Sequence, residues 1–338
     1  MRICIAGAGI TGCAAAMLLA EAGHDVTVFE AVPEVSELGV GINLLPHAIS
    51  ILDRLGLADQ LEDLGVATAE LVYTNRHGQR IWGEPRGRFA GYPVPQVSIH
   101  RGKLQVALFK AARARLGADK VQTGHRLVAV DDRSPVSATF ERPDGSRMTV
   151  EADVLVGADG IHSTLRRLRY PDEGLPRYGG RILWRATSRA KPFMTGASMI
   201  MAGHQDRKFV CYPIDRPGAD GLQTINWIAE LTVDQMPERE NWNKEGDKAD
   251  FAGAFADWTF DWLDVPGLIA DADKVFEFPL VDRYPLPAWT FGVTTLLGDA
   301  AHPMYPIGSN GASQGILDAD ALVRALAGRA APAAALRA

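Results

Sequence analysis

The sequence predicts an α/β fold: a doubly wound parallel sheet of Rossmann type, interrupted by an inserted mixed or antiparallel sheet. Three observations carry this expectation. The chain opens with an apolar strand, a G-x-G-x-x-G turn and an Ala/Leu-rich helix ("RICIAGAGITGCAAAMLLA", residues 2–20). Two further strand-to-turn-to-helix corners follow, "ADVLVGADGIHSTLR" (152–166) and "TTLLGDAAHPMYPIGSNGASQGILDADALVRAL" (294–326). The stretch 181–281 is richer in β-branched and aromatic residues, in runs such as "RILWRAT", "KFVCYPI" and "TINWIAEL" that read as strands.

In the opening unit, Gly7 permits the tight turn, Gly9 lets backbone approach a pyrophosphate, and Gly12, after Thr11, lets helix and strand pack closely. The helix expected over 14–22 presents its N-terminal N–H groups to the phosphates. The next strand, "DVTVF" (25–29), ends at Glu30, placed to accept the hydroxyls of a ribose. These elements occur in the order a dinucleotide-binding unit requires, but they leave NAD and FAD equally open, because both present an ADP half.

At the second corner, Val154–Val156 predict a buried strand, Gly157-Ala158-Asp159-Gly160 a turn, and 163–169 a helix start. At the third, Thr295–Leu297 lead into Gly298-Asp299, and the loop from Pro306 through Gly308 to Gly311 and Ala312 precedes a helix whose positive end suits an anion. A nicotinamide dehydrogenase built on the first fingerprint leaves the Gly-Asp corner unexplained. Segments 1–70, 100–178 and 285–338 are assigned to a discontinuous nucleotide domain, and 71–99 and 179–284 to a substrate domain. Leu71–Tyr73 and Val97–Ile99 are expected to join the substrate sheet, and 242–262, with the loops around Pro266, to cover its edge.

Composition narrows the classes. Of 338 residues, 47% are apolar and 22% charged, and the net charge of −6 argues against a nucleic-acid partner. No apolar run approaches the roughly 20 residues that span a bilayer, so no membrane partner is expected. Met1 enters the first strand without signal-peptide features, which points to a cytoplasmic protein. Cys4, Cys13 and Cys211 form no CxxC pair and read as buried thiols; no histidine cluster has metal-ligand spacing, so no metal is expected. The Ala-rich tail, 327–338, reads as a weakly specified helix end or a frayed terminus.

Taken together, the three ordered turns resemble the aromatic-hydroxylase family of single-component (class A) FAD monooxygenases, whose marks are G-x-G-x-x-G, an Asp-Gly turn and a Gly-Asp turn. The resemblance extends through "GVGINLLPHAISILDRLGL", "SIHRGKL", "ENWNKEG" and "FADWTFDW", which favour the phenazine monooxygenase branch. It covers almost the whole chain. It implies cofactor contacts at Gly41, Arg101, Leu127, Asp159, Gly160, Gly298, Asp299, Pro306, Gly308, Gly311 and Ala312 besides the fingerprint residues, with Asp299 on the ribityl hydroxyls.

The resemblance also implies a cycle in which NADH or NADPH reduces FAD, O2 adds at flavin C4a, and the hydroperoxide hydroxylates a small aromatic substrate, a phenazine carboxylate being one candidate. No protein nucleophile is then needed, and no catalytic side chain is assigned. Trp184, Tyr212, Trp227, Met304 and Tyr305 are the expected pocket residues, although each aromatic taken singly fits a core role as well. His302 is expected to cap or bridge its turn. A monomer or homodimer is compatible with all of this. Relatives continue past the last helix, whereas this chain stops at "AAALRA", so a fragment and a shorter fold are both open. The alternative is a flavin-binding protein or NAD(P)H oxidase without productive hydroxylation.

Overall fold

The computed structural model describes residues 1–234, 245–328 and 331–336. A six-stranded sheet runs in the order Thr290–Phe291, Thr294–Leu296, Val154–Gly157, Arg2–Ala6, Asp25–Phe29, Val121–Gln122. All neighbours are parallel except the outer hairpin of Thr290–Phe291 with Thr294–Leu296. Its central strands are buried on both faces, which is why they read as unbroken apolar runs.

Register decides what these strands position. Ile5 lies beside Val28 and Val156, and Val156 beside Thr295. Three adjacent parallel strands therefore end along one edge, and the turns after them, at Gly7, Gly157 and Gly298, share it. Ligands of open α/β sheets bind at that carboxyl edge.

On one face, helices Ile10–Glu21, Pro46–Arg54, Arg101–Leu116 and Gly311–Leu326 close a single apolar core with the sheet. The other face carries a three-stranded antiparallel sheet, Arg126–Asp131, Val136–Glu141 and Arg147–Ala152. Phe140 of that sheet meets Phe29 with ring centroids 4.3 Å apart.

A second large sheet has seven strands, in the order Phe276–Asp282, Arg177–Ala190, Gln223–Thr232, Arg207–Pro213, Ser198–Gly203, Glu70–Thr74, Arg80–Pro85. Only the pair Glu70–Thr74 with Ser198–Gly203 is parallel. Phe251, Phe255, Trp258 and the helix Val265–Asp271 pack against its outer face, not its edge as the sequence suggested. The aromatic residues there need a broad apolar surface, and a sheet face supplies more of it than an edge. Trp242 lies outside the described residues.

Leu71–Tyr73 do join this sheet. Val97–His100 does not: it pairs antiparallel with Gly41–Leu44 and Val66–Ala67 in a separate small sheet, with Val97 and Ile99 buried in the nucleotide-side core. Short β-branched runs announce a strand without naming its partner. Among the described residues no helix is long and apolar enough to cross a membrane, the three cysteines are free and buried, and no cluster suited to a metal ion occurs.

Candidate functional site

The three fingerprint glycines have different reasons to be glycine. Gly7 adopts φ 104°, and a Cβ there would collide with the Ala158 carbonyl oxygen, while one at Gly12 would collide with the Gly7 carbonyl oxygen. Both positions are closed by protein backbone. At Gly9 a Cβ would meet nothing within 4 Å, so the space beside it is open. Gly9 is also the N-cap of helix Ile10–Glu21, and no side chain caps that end. An uncapped helix N-terminus facing open space fits a pyrophosphate.

Glu30 closes one end of this turn. Its Oε2 accepts the Ala8 N–H at 2.7 Å and its Oε1 the Val32 N–H at 3.0 Å, which fixes the carboxylate at the strand end while leaving lone pairs for hydroxyl donors. Gln105 donates to the Ala8 carbonyl from helix Arg101–Leu116. Leu127 is buried beside Phe29 and Phe140, so its side chain supports the wall beneath Glu30.

The late corner is joined to the first turn by one side chain. A Cβ on Gly298 would lie 2.6 Å from Thr11 Oγ1, and one on Gly315 would collide with the same atom. Thr11 is thus seated between the Gly-Asp corner and the helix that follows it. Asp318, on that helix, accepts from the Gly298 N–H at 2.8 Å and from His302 Nε2 at 2.6 Å, both at Oδ2. His302 therefore bridges its turn to the helix. Burial opposes its protonated form, but the hydrogen bond and charge of Asp318, helped by Asp299, outweigh this and raise its pKa.

Asp299 faces the crevice between these elements. It is exposed, within reach of the charges of His302, Arg101 and Asp318, and no hydrogen bond holds its carboxylate among the described residues. The surrounding protein raises its pKa, the charges of His302 and Arg101 pull it down, and Asp318 pushes it up. Arg101 starts its helix immediately after His100, whose Nδ1 accepts the Gly102 and Lys103 N–H groups.

Beyond Asp299, the turn Ile307–Ser309 places Gly308 at φ 78° and Ser309 at φ 55°. Gly308 is uncrowded, so its left-handed backbone is the reason for glycine there. Gly311 and Ala312 begin the next helix, which no side chain caps; Asn310 Oδ1 is buried without a partner. This is a second uncapped N-terminus opening on the crevice. Pro306 precedes the turn, and Met304 is exposed beside Gly311.

Asp159 lies in the turn after strand Val154–Gly157. Its Oδ2 accepts the Thr164 N–H at 2.7 Å and the Leu165 N–H at 3.4 Å, so it helps start helix Thr164–Arg169. Burial raises its pKa, and its Oδ1 has no partner. With Gly160 at φ 75°, it shapes the turn whose Ala158 carbonyl abuts Gly7.

The substrate sheet meets this edge at Gly41. Asn226 Oδ1 accepts the Gly41 N–H at 2.7 Å, and Arg185 Nη2 donates to the Gly41 carbonyl at 2.9 Å. Strand alternation then sorts the expected pocket residues. Tyr212 lies on the inner face, bonded to Arg185. Tyr305 reaches the same sheet near Gly179 and Asp282. Trp184 and Trp227 turn the other way: Trp184 stacks on Phe251 at 4.9 Å and Trp227 on Phe209 at 5.7 Å, inside the outer core. The expectation that these two line the pocket is corrected by the side of the strand on which they fall.

Sequence reasoning missed Asp318, Arg166, Asn226 and Arg185. Arg166 is buried, pairs with Glu173, and donates to the Ala300 and Ala301 carbonyls at 3.1 and 2.8 Å, holding the Gly-Asp corner from behind. Nothing in spacing separates Asp318 from Asp320, which pairs with Arg54 and Arg324. A charged residue within the apolar run "RILWRAT" was the one available signal for Arg185.

Two grooves lie outside the crevice. One of about 430 Å³, lined by Glu70, Arg80, Glu84 and Phe89, is at the far edge of the substrate sheet. The other, of about 540 Å³, is lined by Pro33, Val35, Phe109, Lys110 and Arg113, just beyond Glu30.

Residues 1–334 match the family model described as an FAD binding domain. The chain is 44% identical over 336 residues to the phenazine 1,6-dicarboxylic acid hydroxylase PhzS of Lysobacter antibioticus, covering 96% of this chain and 82% of that protein. It is 33% identical over 331 residues to the 6-hydroxynicotinate 3-monooxygenase of Bordetella bronchiseptica, with the same two coverages. Among solved structures, a single-residue variant of Klebsiella pneumoniae HpxO complexed with FAD superposes with TM-score 0.81 at 25% identity, covering all of this chain and 84% of that one. CtdE, solved with FAD and a substrate, gives 0.82 at 20% identity over the same shares, a likeness of fold. With the motifs on one sheet edge and these similarities, the chain belongs to the class A FAD-dependent aromatic hydroxylases, flavoprotein oxidoreductases that act as monooxygenases.

Proposed function

We propose that the protein uses NADH or NADPH and O2 to hydroxylate a small aromatic substrate at the crevice between its two large sheets. The observation that carries this reading is the seating of Thr11 between Gly298 and Gly315: it couples the turn suited to an ADP half to the corner suited to a flavin half. Bound FAD would supply the electrophilic oxygen, after reduction by the nicotinamide.

The chain's own residues do the rest. Gly9 and the helix end at Ile10 hold the pyrophosphate, Glu30 the ribose hydroxyls, and the groove beyond it is open to the adenine. Asp299 and Arg101 hold the ribityl region. The loop from Pro306 through Gly308 to Gly311 and Ala312 places a positive helix end where negative charge develops on reduction. Gly41, Leu127, Asp159 and Gly160 shape the walls, and Tyr212, Met304 and Tyr305 enclose the substrate and exclude water. In this reading segments 1–70, 100–178 and 285–338 hold the cofactor, and 71–99 with 179–284 serve the substrate, apart from the strand Val97–His100. No second G-x-G-x-x-G occurs in the sequence, which favours transient docking of the nicotinamide.

The name of the 44% identical relative makes phenazine 1,6-dicarboxylic acid the first compound to test. Purified protein should be yellow, and this aromatic should accelerate NAD(P)H oxidation and gain one oxygen by mass spectrometry. Protein that cannot be reconstituted with FAD, or that releases only peroxide with every aromatic offered, would remove the proposal.

A further inference from the structure

Gly179 is a glycine for a reason that lies outside its own strand. Its backbone is not in the left-handed region, unlike that of its neighbour Gly180 at φ 72°, so an alanine could adopt it. A Cβ there would instead lie 2.7 Å from the Tyr305 hydroxyl oxygen and 3.0 Å from the ring carbon that bears it. Tyr305 belongs to a distant part of the chain, the loop between the Gly-Asp corner and helix Gly311–Leu326. Its phenol ends in a space that strand Arg177–Ala190 leaves empty. The strand is bulged at this point: Tyr178 pairs with Val281 and Ile182 with Pro279, so Gly179, Gly180 and Arg181 stand opposite Leu280 alone. Bulges re-aim a strand beside functional sites.

The phenol also finds a partner in that space. Burial, then the charge and hydrogen bond of Asp282, raise its pKa against the pull of Arg177 and Arg181, so it stays a neutral donor facing a carboxylate. Arg177 fixes Asp282 with a fork, Nε to Oδ1 and Nη2 to Oδ2, both at 3.0 Å, and itself lies over the Tyr284 ring at 4.1 Å. The loop needs such a hold. Its turn is closed by the Ser309 N–H on the Pro306 carbonyl at 3.3 Å, and Ser309 has a left-handed φ of 55° without being glycine. A backbone of that kind persists where its surroundings hold it in place. His302, tied to Asp318, fixes the start of the loop, and helix Gly311–Leu326 fixes its end. Tyr305 lies between them, keyed into the substrate sheet.

We propose that Tyr305 is a positioning residue: seated in the socket formed by Gly179 and Asp282, it latches the loop Pro306–Ala312 to the substrate sheet, so that the uncapped helix end and the inner face of the sheet keep a fixed separation across the crevice. The purpose of that separation rests on the monooxygenase reading, but the latch is tested without turnover.

The test is hydrogen exchange of the FAD-loaded protein, resolved by peptide. Tyr305→Phe, Asp282→Ala and Gly179→Ala should each speed exchange within 303–311 by about fivefold, the scale of one lost hydrogen bond, while peptides from 2–30 exchange as in wild type. Asp282→Asn keeps an acceptor and should retain most of the protection. The added methyl of Gly179→Ala meets only the movable end of a side chain, so Tm should fall by no more than about 3 °C. Combining either sheet variant with Tyr305→Phe should add little to the single effects, because all of them release one latch. With an aromatic substrate and NAD(P)H, the single variants should raise the peroxide-to-product ratio about threefold or more, with FAD affinity within about threefold of wild type. Unchanged loop exchange in Tyr305→Phe and Asp282→Ala, faster exchange throughout the chain, additive effects in the double variants, or loss of FAD from Tyr305→Phe would each overturn the proposal. Faster loop exchange with an unchanged peroxide ratio, in an enzyme that hydroxylates, would overturn the positioning role. Absence of hydroxylation in wild type, with the exchange pattern as expected, would instead count against the monooxygenase reading alone.

Discussion

Asp299 and Gly9 are the residues at which folding and cofactor binding pull apart. The carboxyl of Asp299 has a raised pKa. A group whose folded pKa lies above its unfolded value favours folding while protonated, and that contribution is lost as pH rises through the unfolded and then the folded pKa. At neutral pH the ionised Asp299 therefore works against the cofactor-free fold. Asp299→Asn is expected to leave apoprotein stability at neutral pH equal to or above wild type, while FAD affinity falls about 10- to 100-fold, the loss expected of hydrogen bonds to a charged group. Urea titration of the apoprotein and FAD fluorescence quenching measure the two effects. The glycines offer a sharper contrast. A methyl at Gly9 meets only open space, whereas one at Gly12 collides with the Gly7 backbone. Gly9→Ala should fold with near wild-type Tm and lose FAD, and Gly12→Ala should lose both. Equal Tm losses in the two variants would contradict the assignment of the open space to the ligand.

The elements that carry these residues are held by a few buried ties. Helix Gly311–Leu326 grips the Gly-Asp corner through Asp318, which binds both the Gly298 N–H and His302. His302 has a raised pKa through that contact, so its contribution is fully present below the unfolded value of about 6.5 and is lost as pH rises through the folded value. The stability gap between wild type and His302→Gln should therefore be larger at about pH 6 than at about pH 9; a gap that widens with pH would show the sign to be wrong. From the other side, Arg166 holds the Ala300 and Ala301 carbonyls and pairs with Glu173. Arg166→Met removes the donor to both carbonyls and one of the two arginines on Glu173, leaving Arg283, and should cost about 1 to 3 kcal/mol in denaturant unfolding. These ties were the part of the site the sequence did not announce. Strand, turn and helix are local patterns, so "AGAGITG" and "LLGDAAHP" could be read directly. Which aspartate of "ILDADAL" faces the corner depends on how the helix is rolled against its neighbours, and that is set by residues hundreds of positions away. The same limit misled the reading of Trp184 and Trp227: aromatic character marks burial, but one step of register chooses the face.

At the scale of the molecule, two sheets with different jobs meet along a single crevice. The parallel sheet brings three turns to one edge because its strands enter in neighbouring positions from widely separated parts of the chain. The seven-stranded sheet buries one face under Phe251, Phe255 and Trp258 and keeps the other for the crevice. Contacts between the halves are polar and specific: Asn226 and Arg185 on Gly41, and Tyr305 near Asp282. Removing Asn226 should loosen this joint without touching the phosphate end. Asn226→Ala is expected to keep FAD but to raise the peroxide-to-product ratio, because a wetter crevice favours unproductive oxygen chemistry. An unchanged ratio in coupled peroxide and product assays would separate that joint from water exclusion.

The central claim is that one extended dinucleotide touches all three turns at once. A crystal structure of the FAD-loaded protein tests it most directly. The account predicts density running from Glu30, past Gly9 and the helix end at Ile10, to Asp299, with the ring system against the Pro306–Ala312 loop and facing Tyr212. Density lying in another groove, or reaching Gly9 but not Asp299, would contradict it.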